Sequence, residues 1–158
     1  MVETKNKYKI WRSAIVIDGC AEGWWESVTV KDDVIKGTTF YNRAYNGVPA
    51  HSFIAIRPYS KNVDASHPVH HNIRIENNTF KTFDCPVLYA KITAGLLFRN
   101  NTITRTRTFP ATSGNPYTFY LNGCKNAVIE STVFEGEVLG RNIKTENMKR
   151  NHLKTMLK

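Results

Sequence analysis

The chain has 158 residues and a net charge of +9, a length that suits one domain with a usable core. Its hydrophobic content of 41% is ordinary. No apolar run approaches the ~20 residues of a membrane span, so no membrane partner is expected. The charge sits at the two ends: Lys5, Lys7, Lys9 and Arg12 against Glu3, and Arg141, Lys144, Lys149, Arg150, Lys154 and Lys158 against Glu146. A nucleic-acid surface needs a basic stripe with interleaved aromatics on one face. Basic ends around nearly neutral repeats read as solvated tails, so no nucleic-acid partner is expected.

The first residues are charged and have no apolar stretch behind them, so the reading is that this chain carries no signal peptide. Residues 1–7 read as a charged stub. From Tyr8 to Ile17 the chain reads as the end of one coil entering the next, with Ile15-Val16-Ile17 as a short strand. A wide turn, 18–30, follows and carries Asp18, Glu22 and Trp24-Trp25-Glu26-Ser27.

Asp32-Asp33 lead into the first of four copies of one pattern. Ile35-Lys36-Gly37-Thr38-Thr39-Phe40 recurs as Ile75-Glu76-Asn77-Asn78-Thr79-Phe80, as Phe98-Arg99-Asn100-Asn101-Thr102-Ile103 and as Ile129-Glu130-Ser131-Thr132-Val133-Phe134. The spacings are 40, 23 and 31 residues, from the numbers of the four leading residues (35, 75, 98, 129). Variable spacing of this order is the mark of a solenoid with loop insertions. Apolar residues alternate with polar ones over short runs, which makes the unit β. The two central residues are Gly, Asn, Ser or Thr, which suit a tight turn. Stacked Asn side chains would also bond from coil to coil.

A second ladder precedes the repeats: Ile15-Val16-Ile17, Ile54-Ala55-Ile56, Val87-Leu88-Tyr89 and Phe119-Tyr120-Leu121. The fold class is therefore all-β, a right-handed parallel β-helix. The leucine-rich repeat fits poorly, because Leu spacing is irregular and no repeat holds a helix. The expected core has Ile35, Ile75, Phe98 and Ile129 in one inward column and Phe40, Phe80, Ile103 and Phe134 in another. Loops leave the coils at 42–52, 57–72 and 104–118. The coils are expected over 8–144. Residues 145–158 suit a short C-terminal capping helix, because Leu153, Met156 and Leu157 fall at i, i+3 and i+4. The whole of 1–158 then forms one β-helix domain, a piece of a longer one.

Loops on a rigid scaffold collect binding residues. Trp24, Trp25, Glu26 and Asp18 place flat aromatics beside carboxylates, the combination that stacks on a sugar and takes its hydroxyls. The alternative is that one Trp packs over the core and Glu26 serves the turn. Asp32 and Asp33 are the adjacent carboxylate pair, and glycoside hydrolysis needs two carboxyl groups. In the repeat register, however, Asp32 aligns with the turn formers Asn72, Gly95 and Asn126. His67, His70 and His71 cluster without a carboxylate at a supporting spacing and read as a polar loop. No paired metal-ligand motif occurs, and neither metal nor cofactor is expected. Cys20 and Cys124 sit at equivalent turns three coils apart, on the order of 14 Å, beyond the ~7 Å that a disulfide spans. Both Asn-x-Thr sequons, at Asn77 and Asn100, coincide with the repeat turn.

Several segments together resemble a known family. Trp25-Glu26-Ser27, His71-Asn72-Ile73-Arg74-Ile75-Glu76-Asn77-Asn78-Thr79-Phe80, and Leu88-Tyr89-Ala90-Lys91 followed by Gly95-Leu96 look like the C-terminal part of the bacterial α-1,3-galactosidases of glycoside hydrolase family 110. The similarity runs from about Tyr8 to about Met148. It implies a right-handed β-helix from an exported enzyme, periplasmic or at the cell surface. Such enzymes remove terminal α-1,3-linked galactose from glycans, with inversion. The family's catalytic aspartates lie upstream, in an Asp-Asp-Gly setting. Asp32-Asp33 is followed by Val34, so the catalytic role is not carried onto it, and Trp25 and Glu26 inherit a binding role alone. The expectation is a galactose-directed β-helix, inactive by itself. The alternatives are a non-catalytic carbohydrate-binding module and a structural module that associates end to end as a homodimer.

Overall fold

A computed structural model describes residues 2–3, 15–17, 34–41, 52–58, 63–83, 86–107, 117–136 and 143–157. The strands fall into successive coils. The first holds β1 (Val2–Glu3), β2 (Ile15–Ile17) and β3 (Val34–Lys36). The second holds β4 (Thr39–Tyr41), β5 (Ile54–Ile56), the two-residue β6 (His70–His71) and β7 (Arg74–Glu76). The third holds β8 (Thr79–Thr82), β9 (Leu88–Lys91), β10 (Thr93–Ala94) and β11 (Leu97–Arg99). The fourth holds β12 (Thr102–Arg105), β13 (Phe119–Asn122) and the first half of the long β14 (Ala127–Glu135), whose second half opens a fifth coil with β15 (Ile143–Glu146) and β16 (Leu153–Leu157).

Every pairing between these strands is parallel and joins one coil to the next. Three long ladders result: β1-β4-β8-β12-β14, β2-β5-β9-β13-β15 and β3-β7-β11-β14-β16, with β10-β6 as a small fourth. This is a parallel β-helix, as the repeats require.

The register is the one read from the repeats. Ile35 pairs with Ile75, Ile75 with Phe98 and Phe98 with Ile129. Phe40 pairs with Phe80, Phe80 with Ile103 and Ile103 with Phe134. The third inward column is Ile54, Leu88 and Phe119. It starts one residue later than expected, at Leu88 rather than Val87. Val87 is itself buried, and a run of consecutive apolar residues carries no phase that would fix which begins the strand. Phe rings fill the interior: Phe40 stacks on Phe80 at 4.8 Å and Phe98 meets Phe119 edge-on at 5.0 Å.

The turn between the first and third of the long ladders is built twice over. Its first residue has positive φ in every coil: Gly37, Asn77, Asn100 and Ser131. Its second residue stitches coils together. Asn78 N–H donates to Asn101 Oδ1 at 2.8 Å, and Thr38 N–H donates to Asn78 Oδ1 at 3.0 Å. The amide groups donate in turn, Asn78 to Ile35 O and Asn101 to Ile75 O. The sequon letters therefore serve the turn.

One element differs from expectation. No C-terminal capping helix forms. Residues 143–157 make β15, one 3₁₀ turn (Arg150–His152) and β16. They extend the solenoid by pairing with β13 and β14. A strand satisfies the backbone groups along the β14 edge, which a helix would leave unpaired. Asn151, His152 and Thr155 are also poor helix formers. Leu153 and Leu157 still pack against the core, whereas Met156 is exposed.

Candidate functional site

Connectivity decides where the long loops leave the coils. The turn between the first and third long ladders is tight in every described coil, so the longer connections lie at the other two corners. At one corner, residues 18–33 join β2 to β3 and residues 57–73 join β5 to β7, whereas the later coils cross with residues 92–96 and 123–126. The 18–33 segment thus returns to the sheet at Val34, directly beside Arg74. Trp24, Trp25, Glu26 and Asp18 belong to that segment, as do Asp32 and Asp33, and all six lie outside the described residues.

A groove of about 340 Å³ opens at this corner, lined by Asn72, Arg74, Gly95 and Leu97. Arg74 and Leu97 are outward-facing register partners, in a row with exposed Val34 and half-buried Val128. The row continues from Val128 to Lys154, so it carries two cations, Arg74 and Lys154, with Leu97 and Val128 between them. The neighbouring outward row, Lys36-Glu76-Arg99-Glu130, alternates in sign along the axis. Arg99 donates to Glu76 Oε1 at 2.7 Å, so the buried Glu76 carboxylate is matched. Among the described residues no carboxylate pairs with Arg74. Asn72 and Gly95 both have positive φ, and a Cβ on Gly95 would stand 2.6 Å from Asn72 Oδ1. Asn72, Gly95 and Asn126, with which Asp32 aligns in the repeats, are all left-handed turn residues, whereas Asp32 itself lies outside the described residues.

A second polar cluster lies on the outer face of the second long ladder. Tyr89, Tyr120 and Lys144 are register partners. The Tyr89 and Tyr120 rings are 5.0 Å apart, and Lys144 Nζ lies 4.6 Å above Tyr120 and 5.4 Å above Tyr117. Lys144 also pairs with Glu146 at 2.5 Å, and the Tyr120 hydroxyl donates to Glu146 Oε2. Desolvation, then the bond to Glu146, pushes the Tyr120 phenol up. The bonds from Lys144 and Tyr120 hold the Glu146 carboxyl down, and the bond to Glu146 raises Lys144. The ring faces are spent on each other and on Lys144, which makes this an axial ladder more than a platform. Alternation with buried Leu88, Ala90, Phe119 and Leu121 was the signal in the sequence that these tyrosines face outward.

The histidines do not converge. His70 is buried in β6, His71 is half-buried and His67 is exposed. His67 lies 3.6 Å from Asp64, whose carboxylate accepts the Ser66 N–H at 2.6 Å and caps a local turn. No group of three metal-binding side chains occurs among the described residues. Cys124 is buried and free, and burial pushes its thiol up to about 11, so it is an inert core residue. Cys20 lies outside the described residues.

The fold and its corner groove define a parallel β-helix with a loop-bordered flank. No family model matches the chain. Along its whole length, however, the chain is homologous to the C-terminal part of the alpha-1,3-galactosidases. It is 66% identical over 158 residues to alpha-1,3-galactosidase A of Bacteroides fragilis, an alignment that covers all of this chain and 26% of that protein. It is 36% identical over 151 residues to alpha-1,3-galactosidase B of Bacteroides thetaiotaomicron, covering 94% of this chain and 25% of that one. The match to alpha-1,3-galactosidase B of Akkermansia muciniphila is 37% over 120 residues, 75% of this chain and 15% of that one. The chain therefore spans about a quarter, or less, of the length of these relatives.

Proposed function

We propose that this β-helix is a galactose-directed recognition portion of a glycosidase and does not catalyse hydrolysis alone. The homology along the entire chain to alpha-1,3-galactosidases carries the reading. The relatives' names supply the sugar, terminal α-1,3-linked galactose. In this reading Trp24 and Trp25 give the stacking surface, and Glu26 and Asp18 take hydroxyls. Asp32 and Asp33 stay outside the catalytic role. By repeat alignment Asp32 corresponds to Asn72, Gly95 and Asn126, which have positive φ, and Asp33 precedes Val34 rather than Gly. No cofactor or metal enters the proposal.

The test is direct. The chain is incubated with an α-1,3-galactosyl disaccharide, and galactose release is measured beside binding. Binding without release is expected, and Trp25→Ala should remove binding while leaving the circular dichroism spectrum unchanged. Release that Asp33→Asn abolishes, and that a surface control retains, would make Asp32-Asp33 the active site instead. Unchanged binding by Trp25→Ala would assign Trp25 to packing.

A further inference from the structure

The end of the solenoid formed by β15 and β16 carries no covering strand among the described residues. β15 pairs with β13 and β16 with β14, and each leaves its other edge open. We propose that this end face binds an acidic polypeptide segment in extended conformation, which adds as a further parallel strand on β16. Nothing in it depends on the galactose-directed reading.

A groove of about 400 Å³ lies on this face, lined by Thr145, Met148, Lys149, Arg150, Leu153 and Thr155. Its floor is the inward side of the last coil. Met148 and Leu153 pack against the core and are only half-buried. Thr145 and Thr155 hold the places that buried Leu121 and Ile129 hold one coil earlier, and both are exposed. This mixture of apolar and hydroxyl groups suits a chain that brings a polar backbone better than it suits another hydrophobic coil. The rim is cationic. Lys149 and Arg150 are exposed, as is Lys154 on β16, and none of the three pairs with a described carboxylate. Glu146 is the one carboxylate of residues 143–157. Lys144 takes it at 2.5 Å, together with the Tyr120 hydroxyl. Cations with no local counter-charge select an acidic partner. The open edge of β16 selects an extended one, because strand addition satisfies its backbone as β16 satisfies that of β14. Register gives the pattern of the segment. Lys154 ends the outward row of Arg74, Leu97 and Val128. An acidic residue takes the next place in that row, beside Lys154. The residues on either side of it turn toward Leu153 and Thr155. A second copy of this chain is a poorer occupant, since both of its ends are basic.

Fluorescence anisotropy of a short labelled peptide of alternating Glu and Val, titrated with the full chain, tests it. Binding is expected. Lys149→Gln combined with Arg150→Gln should weaken it about tenfold, the order that two exposed ion pairs supply. Lys154→Glu should weaken it too, and should admit a Lys–Val peptide that the native chain rejects. Methylation of alternate backbone nitrogens keeps the charge of the Glu–Val peptide and removes its strand donors, so the methylated peptide should not bind. Lys149, Arg150 and Lys154 are exposed, so these variants should fold, and thermal melts check that they do. Equal binding of the methylated peptide means a charge patch without strand addition and overturns the proposal. Binding that survives the changes at Lys149, Arg150 and Lys154 puts the peptide elsewhere and also overturns it. A heparin fragment that binds through the same cations more tightly than the peptide makes the face a polyanion site. A doubled mass by light scattering that Met148→Glu returns to one chain makes it a self-association surface. Either result overturns the proposal, as does absence of binding by the Glu–Val peptide.

Discussion

Single residues in this chain act through backbone conformation and through spent or unspent polar groups. Gly123 has φ +65°, and a Cβ there would lie 3.1 Å from Val63 Cγ1 and 3.3 Å from the Asp64 backbone. Gly123→Ala should therefore lower stability by about 1–2 kcal/mol from the left-handed conformation alone, with the contact adding to it. Denaturant melts measure the loss. Tyr120 and Glu146 give a residue-level test in pH. The Tyr120 phenol is raised above its ordinary value of 10.0, first by desolvation and then by Glu146. Its proton is held more tightly in the folded state, so its contribution is complete below pH 10 and is lost as pH rises through the folded value. Glu146 is shifted the other way by Lys144 and Tyr120. Its contribution is present above the ordinary carboxylate value and is lost as pH falls through the depressed one. Tyr89 is raised as well, first by desolvation. Phenolate absorbance should therefore show at least two tyrosines titrating late, and Glu146→Gln should bring Tyr120 down in part, because desolvation remains.

At the scale of elements, the polar turn and the apolar columns divide the labour. Asn101 is fully buried and bridges two coils through its side-chain oxygen and its amide. Asn101→Ala removes the acceptor of Asn78 N–H and strands that donor in the interior, at a cost of about 1–3 kcal/mol. Replacement of Phe80 removes ring packing with Phe40 of the preceding coil and with Phe98 of its own. Phe80→Ala should cost about 3–5 kcal/mol, measured by urea unfolding. The C-terminal element shows where a pattern misleads. Leu153, Met156 and Leu157 fit a helical stripe, and Leu153 and Leu157 do face the core. Three apolar positions cannot separate a helix from a strand, and the open edge of β14 settled the matter by hydrogen bonding.

For the molecule as a whole, stacking is the organising interaction. β2 and β3 each pair on one side only among the described residues, and so do β15 and β16. Unpaired edges of this kind favour association. The end-to-end homodimer expected from the sequence is thus retained as a proposal of weak, salt-sensitive contact between basic ends. Light scattering at about 100 μM, in low and high salt, should detect it. A monomeric mass in both conditions rules the contact out. The chain's length sets the other whole-molecule expectation. It spans 26% of the galactosidase it matches at 66% identity, so hydrolysis by the isolated chain should fall to background in a galactose-release assay.

The sequence alone determined the coil and the register of the two inward columns that the repeats carry; the third column was legible only to within one residue, because Val87 and Leu88 are both apolar and buried. Each repeat carries the same apolar–polar–turn order, and parallel stacking has one arrangement that puts Ile75 on Phe98 and Phe80 on Ile103. It also determined the turn chemistry, because Asn and Gly tolerate positive φ. It carried the resemblance to the galactosidases too, through short motifs whose order survives in the chain. The groove beside Arg74 was not legible. Arg74 reads as one more charged strand residue until register sets it between Val34 and Leu97, 40 and 23 positions away. The fate of residues 143–157 was likewise a tertiary decision. Local spacing allowed a helix, and the unsatisfied edges of β13 and β14, built from distant sequence, required strands.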